Sequence, residues 1–255
     1  MTSIGLTVLG LLLVGCGAGE DVVTTSLPST TTSTTSSPES TTTNSLPVTT
    51  TTTVAESTTT LSSGLPGDPI DFGPAEGDVL GVIGVAHDDV LNLRAVPGAD
   101  QAILVGIPPL FSDLIALGST RQLAASMWIE VDYSGLTGWV NLRFIAYLGA
   151  TSDVTADVVS SLGETPVAPT MPELGLLVAE HLVADNPDAS FVMSGPATVG
   201  DLGEVTYDIV GFGDDSVRGT RIHVFGEPVD DGFALNAVEA TPFCSRGVTP
   251  DGVCL

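Results

Sequence analysis

The side chains of this chain that could do chemistry are concentrated in one group of acidic and basic residues. The group consists of Asp208, Asp214, Asp215, Arg218 and Arg221. Paired carboxylates can act as general acid and base or can bind Ca²⁺. Alternatively, Gly211 and Gly213 with the aspartates that follow them form a hairpin turn, and the nearby arginines neutralise it. The composition favours the turn over a reactive site.

The histidines and serines show no catalytic or metal-binding pattern. His87, His181 and His223 fall in different predicted elements, without the spacing of metal ligands. His181 lies on the apolar face of a predicted helix, which is typical of a packed histidine. The chain has no Gly-x-Ser-x-Gly motif, and Gly211-Phe212-Gly213 lacks the helix that follows a phosphate-binding loop. The sequence therefore predicts a protein that is not an enzyme, with no metal and no cofactor.

The charge of the chain excludes several classes of partner. Aspartate and glutamate number 31 against six basic residues, all of them arginine, and the formal net charge is −25. Such a field repels phosphate backbones and anionic lipid headgroups, so we expect no nucleic-acid partner. The acidic residues are expected to keep an exported protein soluble and monomeric.

A cysteine near the N-terminus follows a short apolar segment. The apolar run at residues 4–14 is shorter than the roughly 18 residues that a membrane-spanning helix needs. It ends in Leu13-Val14-Gly15-Cys16, which resembles a bacterial lipobox. The resemblance implies a signal peptide at residues 1–15, lipidation of Cys16 and attachment to the extracytoplasmic face of the cell membrane. An ordinary signal peptide with an incidental cysteine is the alternative.

The other two cysteines lie close to the C-terminus. With Cys16 committed to lipid, Cys244 and Cys254 form an even remainder in an exported chain, which predicts a disulfide between them. A free pair or an incomplete metal site are the alternatives.

Residues 16–67 have the composition of a disordered stalk. Between residues 24 and 63, 28 of 40 residues are serine or threonine, with Pro28, Pro38 and Pro47 interspersed. A segment with so little apolar surface to bury cannot offset the entropy of ordering its backbone. The threonine runs near proline are typical either of an O-glycosylated stalk or of a plain linker.

Residues 78–148 have the pattern of a small all-β domain. Short apolar runs are separated by glycine, proline and aspartate, which indicates strands joined by tight turns. The alternation of apolar and acidic residues at 128–132 predicts one buried face, and Ser134-Gly135 predicts a hairpin turn. The predicted strands are Val79–Val85, Leu91–Arg94, Ile103–Ile107, Leu114–Leu117, Trp128–Tyr133 and Thr137–Asn141.

Four blocks in this region resemble the bacterial SH3-like (SH3b) domain family. They are the segments at residues 91–98, 127–131, 135–140 and 147–148. The resemblance implies an SH3-like β-barrel that binds wall peptides, glycans or protein segments without catalysis. The ligand surface that it implies consists of Trp128, Tyr133, Trp139, Asn141 and Phe144. For both tryptophans a place in the core is the alternative, and Arg94 is interpreted as the partner of a local carboxylate. Residues 118–126 depart from the family as a longer hairpin loop.

The remaining chain predicts a second domain of the α+β class. Residues 149–169 are interpreted as a linker, and Thr170 as the cap of a helix that ends at Asn186-Pro187. Three or four antiparallel strands follow, so residues 170–255 are expected to pack one helix on a sheet and to end in a disulfide loop. Residues 213–217 and 244–248 resemble the C-terminal domains of uncharacterised lipoproteins from high-G+C Gram-positive bacteria.

Together these features predict a lipid-anchored, multidomain envelope protein. Its stalk would present an SH3-like barrel and an α+β domain to peptidoglycan or to an envelope protein. A cell-wall hydrolase targeted by the SH3-like domain is one alternative, and an accessory or sensor subunit of an envelope complex is another.

Overall fold

The structure is a computed structural model, and it describes residues 64–184 and 186–255. The predicted signal peptide, the lipidation site Cys16 and nearly all of the predicted stalk lie outside these residues. Within them, no helix is both long enough and apolar enough to cross a membrane.

Fourteen strands and two α-helices make up the described part of the chain. The strands are β1 (Asp68–Ile70), β2 (Val79–Val82), β3 (Leu91–Arg94), β4 (Ile103–Ile107), β5 (Leu114–Leu123), β6 (Ser126–Tyr133), β7 (Leu136–Asn141), β8 (Ile145–Leu148), β9 (Ser152–Asp153), β10 (Val167–Ala168), β11 (Ser190–Val199), β12 (Gly203–Val210), β13 (Val217–Val229) and β14 (Gly232–Cys244). The helices are α1 (Thr155–Leu162) and α2 (Met171–Val183), and a 3₁₀ helix spans Leu142–Phe144.

Strands β2 to β8 surround an apolar core that their alternating side chains form. Ile129 and Val131 of β6 are fully buried in it, as the alternation of the sequence predicts. The predicted turn is confirmed, since Ser134 and Gly135 both have positive φ and join β6 to β7 with Tyr133 opposite Leu136. The loop predicted at residues 118–126 is wrong. Strand β5 continues through that segment and pairs with both β6 and β1, with an irregularity in its register between Ala116 and Thr120.

The C-terminal strands carry a helical layer on one face. The predicted helix is confirmed as α2, and the Thr170 side chain accepts a hydrogen bond from the backbone N–H of Glu173 at its start. Val205, Tyr207 and Ile209 of β12 pack in the core that includes the helix residues. The segment that is interpreted as a linker contains β9, α1 and β10, and both of these strands pair with β14.

The predicted fold class, a small barrel beside a separate α+β domain with one helix, is wrong. The described residues form mostly one large antiparallel sheet with two helices. Strand β8 makes the connection, because it pairs with β2 through Ala146 and with β14 through Leu148. The sheet order is β11-β12-β13-β14-β8-β2-β5-β6-β7-β3-β4. The N-terminal and C-terminal strands therefore belong to one compact unit.

A third apolar cluster lies at the junction of the two sets of strands. Ile83, Ala146 and Phe243 are buried there, and Leu148 and Val210 pack against them. Phe243 is fully buried although it belongs to β14, which begins far along the chain. Burial of large apolar side chains between the two sets of strands provides a hydrophobic driving force for their association.

Candidate functional site

Asp208 and Arg221, from the group that could do chemistry, form a buried ion pair at this junction. The Asp208 side chain is fully buried, and its carboxylate accepts hydrogen bonds from Arg221 Nε at 2.7 Å and Nη2 at 3.0 Å. It also accepts from Ser194 Oγ and from the backbone N–H of Gly84, each at 2.9 Å. Arg221 Nη2 donates in addition to the carbonyl of Val82 at 2.8 Å. Four donors occupy the carboxylate, so its role here is to join β12 and β13 to the strand that precedes Gly84.

The interpretation of Asp214 and Asp215 as turn residues is confirmed. Asp214 Oδ1 accepts from the backbone N–H groups of Val217 and Ser216 at 2.8 and 2.7 Å. These two hydrogen bonds hold the pKa of the Asp214 carboxyl below its ordinary value. Asp215 forms an exposed ion pair with Arg246. Among the described residues, no group of three potential ligands could hold a metal ion.

The histidines lie in three separate environments. His181 of α2 is half-buried, and its Nε2 lies 2.6 Å from Ser161 Oγ of α1. In the described part of the chain no carboxylate oxygen lies within 4 Å of a ring nitrogen of His181. His223 Nε2 lies 3.4 Å from Glu204 Oε2, and the His223 ring contacts Phe225.

The two tryptophans of the predicted ligand surface are buried. Trp128 and Trp139 are each 3% exposed, and the Trp128 indole donates to Ser126 Oγ at 2.9 Å. Tyr133 packs edge-on against Phe111 with ring centroids 4.8 Å apart, beside the N-terminal core. These three aromatic rings are therefore not arranged as one exposed platform.

Three of the predicted ligand residues nevertheless meet at one cleft. Trp128, Asn141 and Phe144 line a cleft of about 450 Å³, which we call the Trp128 cleft. Arg94 and Asp89 line it as well, and its apolar walls include Val85, Val90 and Val192. Val192 belongs to β11, so the cleft is completed by the C-terminal strands. Apolar walls with a few polar groups are typical of a small-ligand site.

The interpretation of Arg94 as the partner of a local carboxylate is not supported within the described residues. Its guanidinium donates to the carbonyl of Gln101, and no described acidic residue lies within 4 Å of it. Asp89 is exposed, and one of its oxygens accepts from the backbone N–H of Val90 at 2.8 Å. The sequence singled out no role for Asp89, because its place in the Trp128 cleft depends on the loop that precedes β3.

A second cleft, which we call the Arg143 cleft, is also lined by Phe144. It has a volume of about 540 Å³ and is lined by Arg143 and Arg218, with Asn141 and Phe144 shared between the two clefts. Asn141 Oδ1 accepts from the backbone N–H of Arg143 at 2.9 Å and so caps the 3₁₀ helix. The sequence did not single out Arg143. Its side chain is presented by a one-turn helix that has no pattern of its own.

Tyr147 also lines the Arg143 cleft, where its hydroxyl is already engaged. The hydroxyl donates to Asp78 Oδ2, and burial together with this carboxylate raises the pKa of Tyr147 well above its ordinary range. The phenol therefore stays protonated at physiological pH and is not a nucleophile.

Cys244 and Cys254 are joined by a disulfide, with their Cα atoms 5.1 Å apart. Cys244 is buried and is the last residue of β14, while the loop that it closes ends one residue before the C-terminus. A bridge over a sequence separation of 10 restricts the unfolded chain more than the folded one.

Replacing Cys254 with serine is expected to lower the free energy of unfolding by about 2–3 kcal/mol, because the unfolded chain regains the entropy of the open loop. Urea denaturation of the variant measures this loss. The wild-type protein in excess reductant is the matched control and should show the same midpoint. An unchanged midpoint in both samples would contradict a stabilising bridge.

Comparisons of the chain with protein-family models, curated proteins and solved structures found no significant match. The resemblances to the SH3-like family and to the uncharacterised lipoproteins therefore stay predictions.

Proposed function

We propose that this chain is a lipid-anchored lipoprotein on the extracytoplasmic face of the cell membrane and acts as a non-catalytic binding module of the cell envelope. Its ligand is a wall peptide or a peptide segment of an envelope protein, held in the Trp128 cleft. The lipobox resemblance at Leu13-Val14-Gly15-Cys16 supports the location. The geometry of the cleft supports the binding role.

The single observation that carries the binding role is that Arg94 and Asp89, which form no ion pair with each other, both line one largely apolar cleft. Arg94 offers N–H donors to a carboxylate, and Asp89 offers oxygens to an ammonium group. Phe144 adds aromatic surface in the same cleft. Peptides carry carboxylate, amine and apolar groups together, so they match this lining better than a neutral glycan does.

Among the described residues that line the Trp128 cleft there is no cysteine, serine, threonine, lysine or histidine. Neither cysteine of the disulfide is free to act as a thiolate, and both lie outside the Trp128 cleft. Within the described residues the Ser161–His181 pair also lies outside the residues that line either cleft. This placement supports binding over hydrolysis.

Retention of the full chain, purified in detergent, on isolated cell wall or on envelope proteins tests the proposal. Replacing Arg94 with glutamine is expected to weaken retention about tenfold, because the ligand carboxylate loses charge-assisted hydrogen bonds. Arg246→Gln is the matched control, since it removes the same charge from an exposed residue that does not line the cleft.

Two results would contradict the proposal. One is the absence of retention of the wild-type chain on both materials. The other is an equal loss in the Arg94→Gln and Arg246→Gln variants, which would show that net charge and not the cleft controls retention.

A further inference from the structure

Two arginines lie side by side at the Arg143 cleft, in a chain with a net charge of −25. Arg143 is exposed, and its guanidinium carbon lies 5.8 Å from the centroid of the Phe144 ring. Arg218 Nη2 donates to the carbonyl of Arg143 at 3.0 Å, so the half-buried Arg218 reaches the backbone of the exposed Arg143. The two cations thus belong to a single local site.

In the described part of the chain, neither arginine forms an ion pair with an acidic residue. Arg218 Nη1 donates to the carbonyls of Ile145 and Leu142, which are neutral acceptors. Among residues 64–184 and 186–255, no carboxylate lies within 4 Å of Arg143 or Arg218. Burial, followed by the charge of Arg143, lowers the pKa of Arg218, as expected of a cation that lacks a counterion.

The composition of the wall of the Arg143 cleft agrees with the absence of a counterion among the described residues. Its described lining residues include both arginines and no aspartate or glutamate, although acidic residues outnumber basic ones 31 to 6 in the whole chain. Asp188 lines a smaller neighbouring cleft, which Arg143 and Arg218 also line, but it forms no ion pair with either arginine. Neutral polar groups such as Asn141 and Ser245 and the apolar side chains of Phe72, Met127 and Phe144 complete the wall.

We propose that the Arg143 cleft binds an organic oxyanion, a carboxylate or a phosphate monoester that carries an apolar body. The oxyanion lies between the Arg143 and Arg218 guanidinium groups, which present N–H donors suited to two oxygens of one ligand. The apolar body lies along Phe72 and Met127. Carboxylate and phosphate groups both offer oxygens to the arginine N–H donors. The experiment below distinguishes between the two.

The inference of an oxyanion site does not depend on the peptide ligand proposed for the Trp128 cleft. The long-range field of the protein repels anions, but in about 0.1 M salt that field is screened within roughly 10 Å. At contact distance the two arginines dominate. An oxyanion can therefore bind here whether or not the chain is retained on cell wall.

The six arginines of the chain make a direct measurement possible, because a ¹⁵N spectrum of their Nε–H groups has at most six cross-peaks. The full chain in detergent is titrated with butyrate in one arm and with butyl phosphate in the other. We expect the Arg143 and Arg218 cross-peaks to shift and the Arg246 cross-peak to stay in place. The arm that saturates at lower concentration identifies the oxyanion.

Two variants complete the test. Arg143→Gln is expected to weaken binding of the preferred probe at least tenfold, whereas Arg246→Gln leaves it unchanged. Arg143 is exposed, so its replacement should not affect folding. The proposal is overturned if neither probe shifts the Arg143 and Arg218 cross-peaks, if butylammonium shifts them equally, or if Arg143→Gln and Arg246→Gln weaken binding to the same extent.

Discussion

Replacing Asp208 with asparagine is expected to lower the free energy of unfolding by about 3 kcal/mol, because the change leaves a largely buried Arg221 without its counterion. The amide would also place N–H donors among the four donors that now bond to the carboxylate. Urea denaturation measures the loss.

Tryptophan fluorescence reports whether the loss of Asp208 also destabilises the N-terminal strands. Both lie in β6 and β7, whereas Asp208 lies in β12. If the strands form one cooperative unit, tryptophan fluorescence and far-UV circular dichroism should shift together in the Asp208→Asn variant. Asp215→Asn is the control, since its ion pair is exposed and its loss should leave the midpoint near that of the wild type. A fluorescence midpoint that does not move in Asp208→Asn would show that β6 and β7 unfold independently of β12.

Replacing Cys16 with alanine is expected to abolish both acylation and membrane association. Two acyl chains bury many methylene groups at about 0.8 kcal/mol each, so their loss removes the whole basis of anchoring that we propose. Incorporation of radiolabelled palmitate into the full chain, followed by membrane fractionation, measures both effects in a bacterial host that processes lipoproteins.

The Cys254→Ser variant is the control for the loss of a cysteine, and it should keep its label and its place in the membrane fraction. A wild-type chain that is found in the cytosol, uncleaved and without the label, would contradict the proposed location. Such a result would leave the Arg143 cleft untouched, since that inference depends only on described residues.

The junction of the sheet also gives a reason for the position of the Trp128 cleft. Asp208 holds the N–H of Gly84, and Gly84 lines the cleft together with Val192 of β11. The backbone N–H of His87 donates to the carbonyl of Met193 at 2.9 Å, which ties the same loop to β11. The cleft is thus shaped by the contacts that join the two sets of strands. A β-domain made of residues 78–148 alone would lack its Val192 wall.

Local elements of this fold could be predicted because their signals lie within a few residues. The turn at Ser134-Gly135 requires positive φ, which glycine readily adopts, and the start of α2 requires a side chain that caps its free N–H groups, which Thr170 provides. The burial of Ile129 and Val131 follows from the period of two in β6.

The burial of Trp128 could not be predicted from local signals. Trp128 shares a strand face with Glu130 and not with Ile129, yet it is almost completely buried. Its cover is supplied by chain segments that approach from elsewhere, including the residues that line the cleft around it. A strand pattern reports which side chains face the same way but does not report what packs over them. The strand pattern therefore could not test the aromatic platform that the resemblance to the SH3-like family implies.

By itself, the sequence determined the acidic charge, the strand and helix patterns, the turns and the pairing of the last two cysteines, because each depends on composition or on neighbours along the chain. The tertiary structure alone decided that β8 joins β2 to β14, that Asp208 and Arg221 are buried at their junction, and that Arg143 and Arg218 meet in one cleft. Arg143 and Arg218 are 75 positions apart in the sequence, and 139 positions separate Arg221 from Val82, whose carbonyl it binds. Their energies depend on burial and distance, which exist only once the chain has folded.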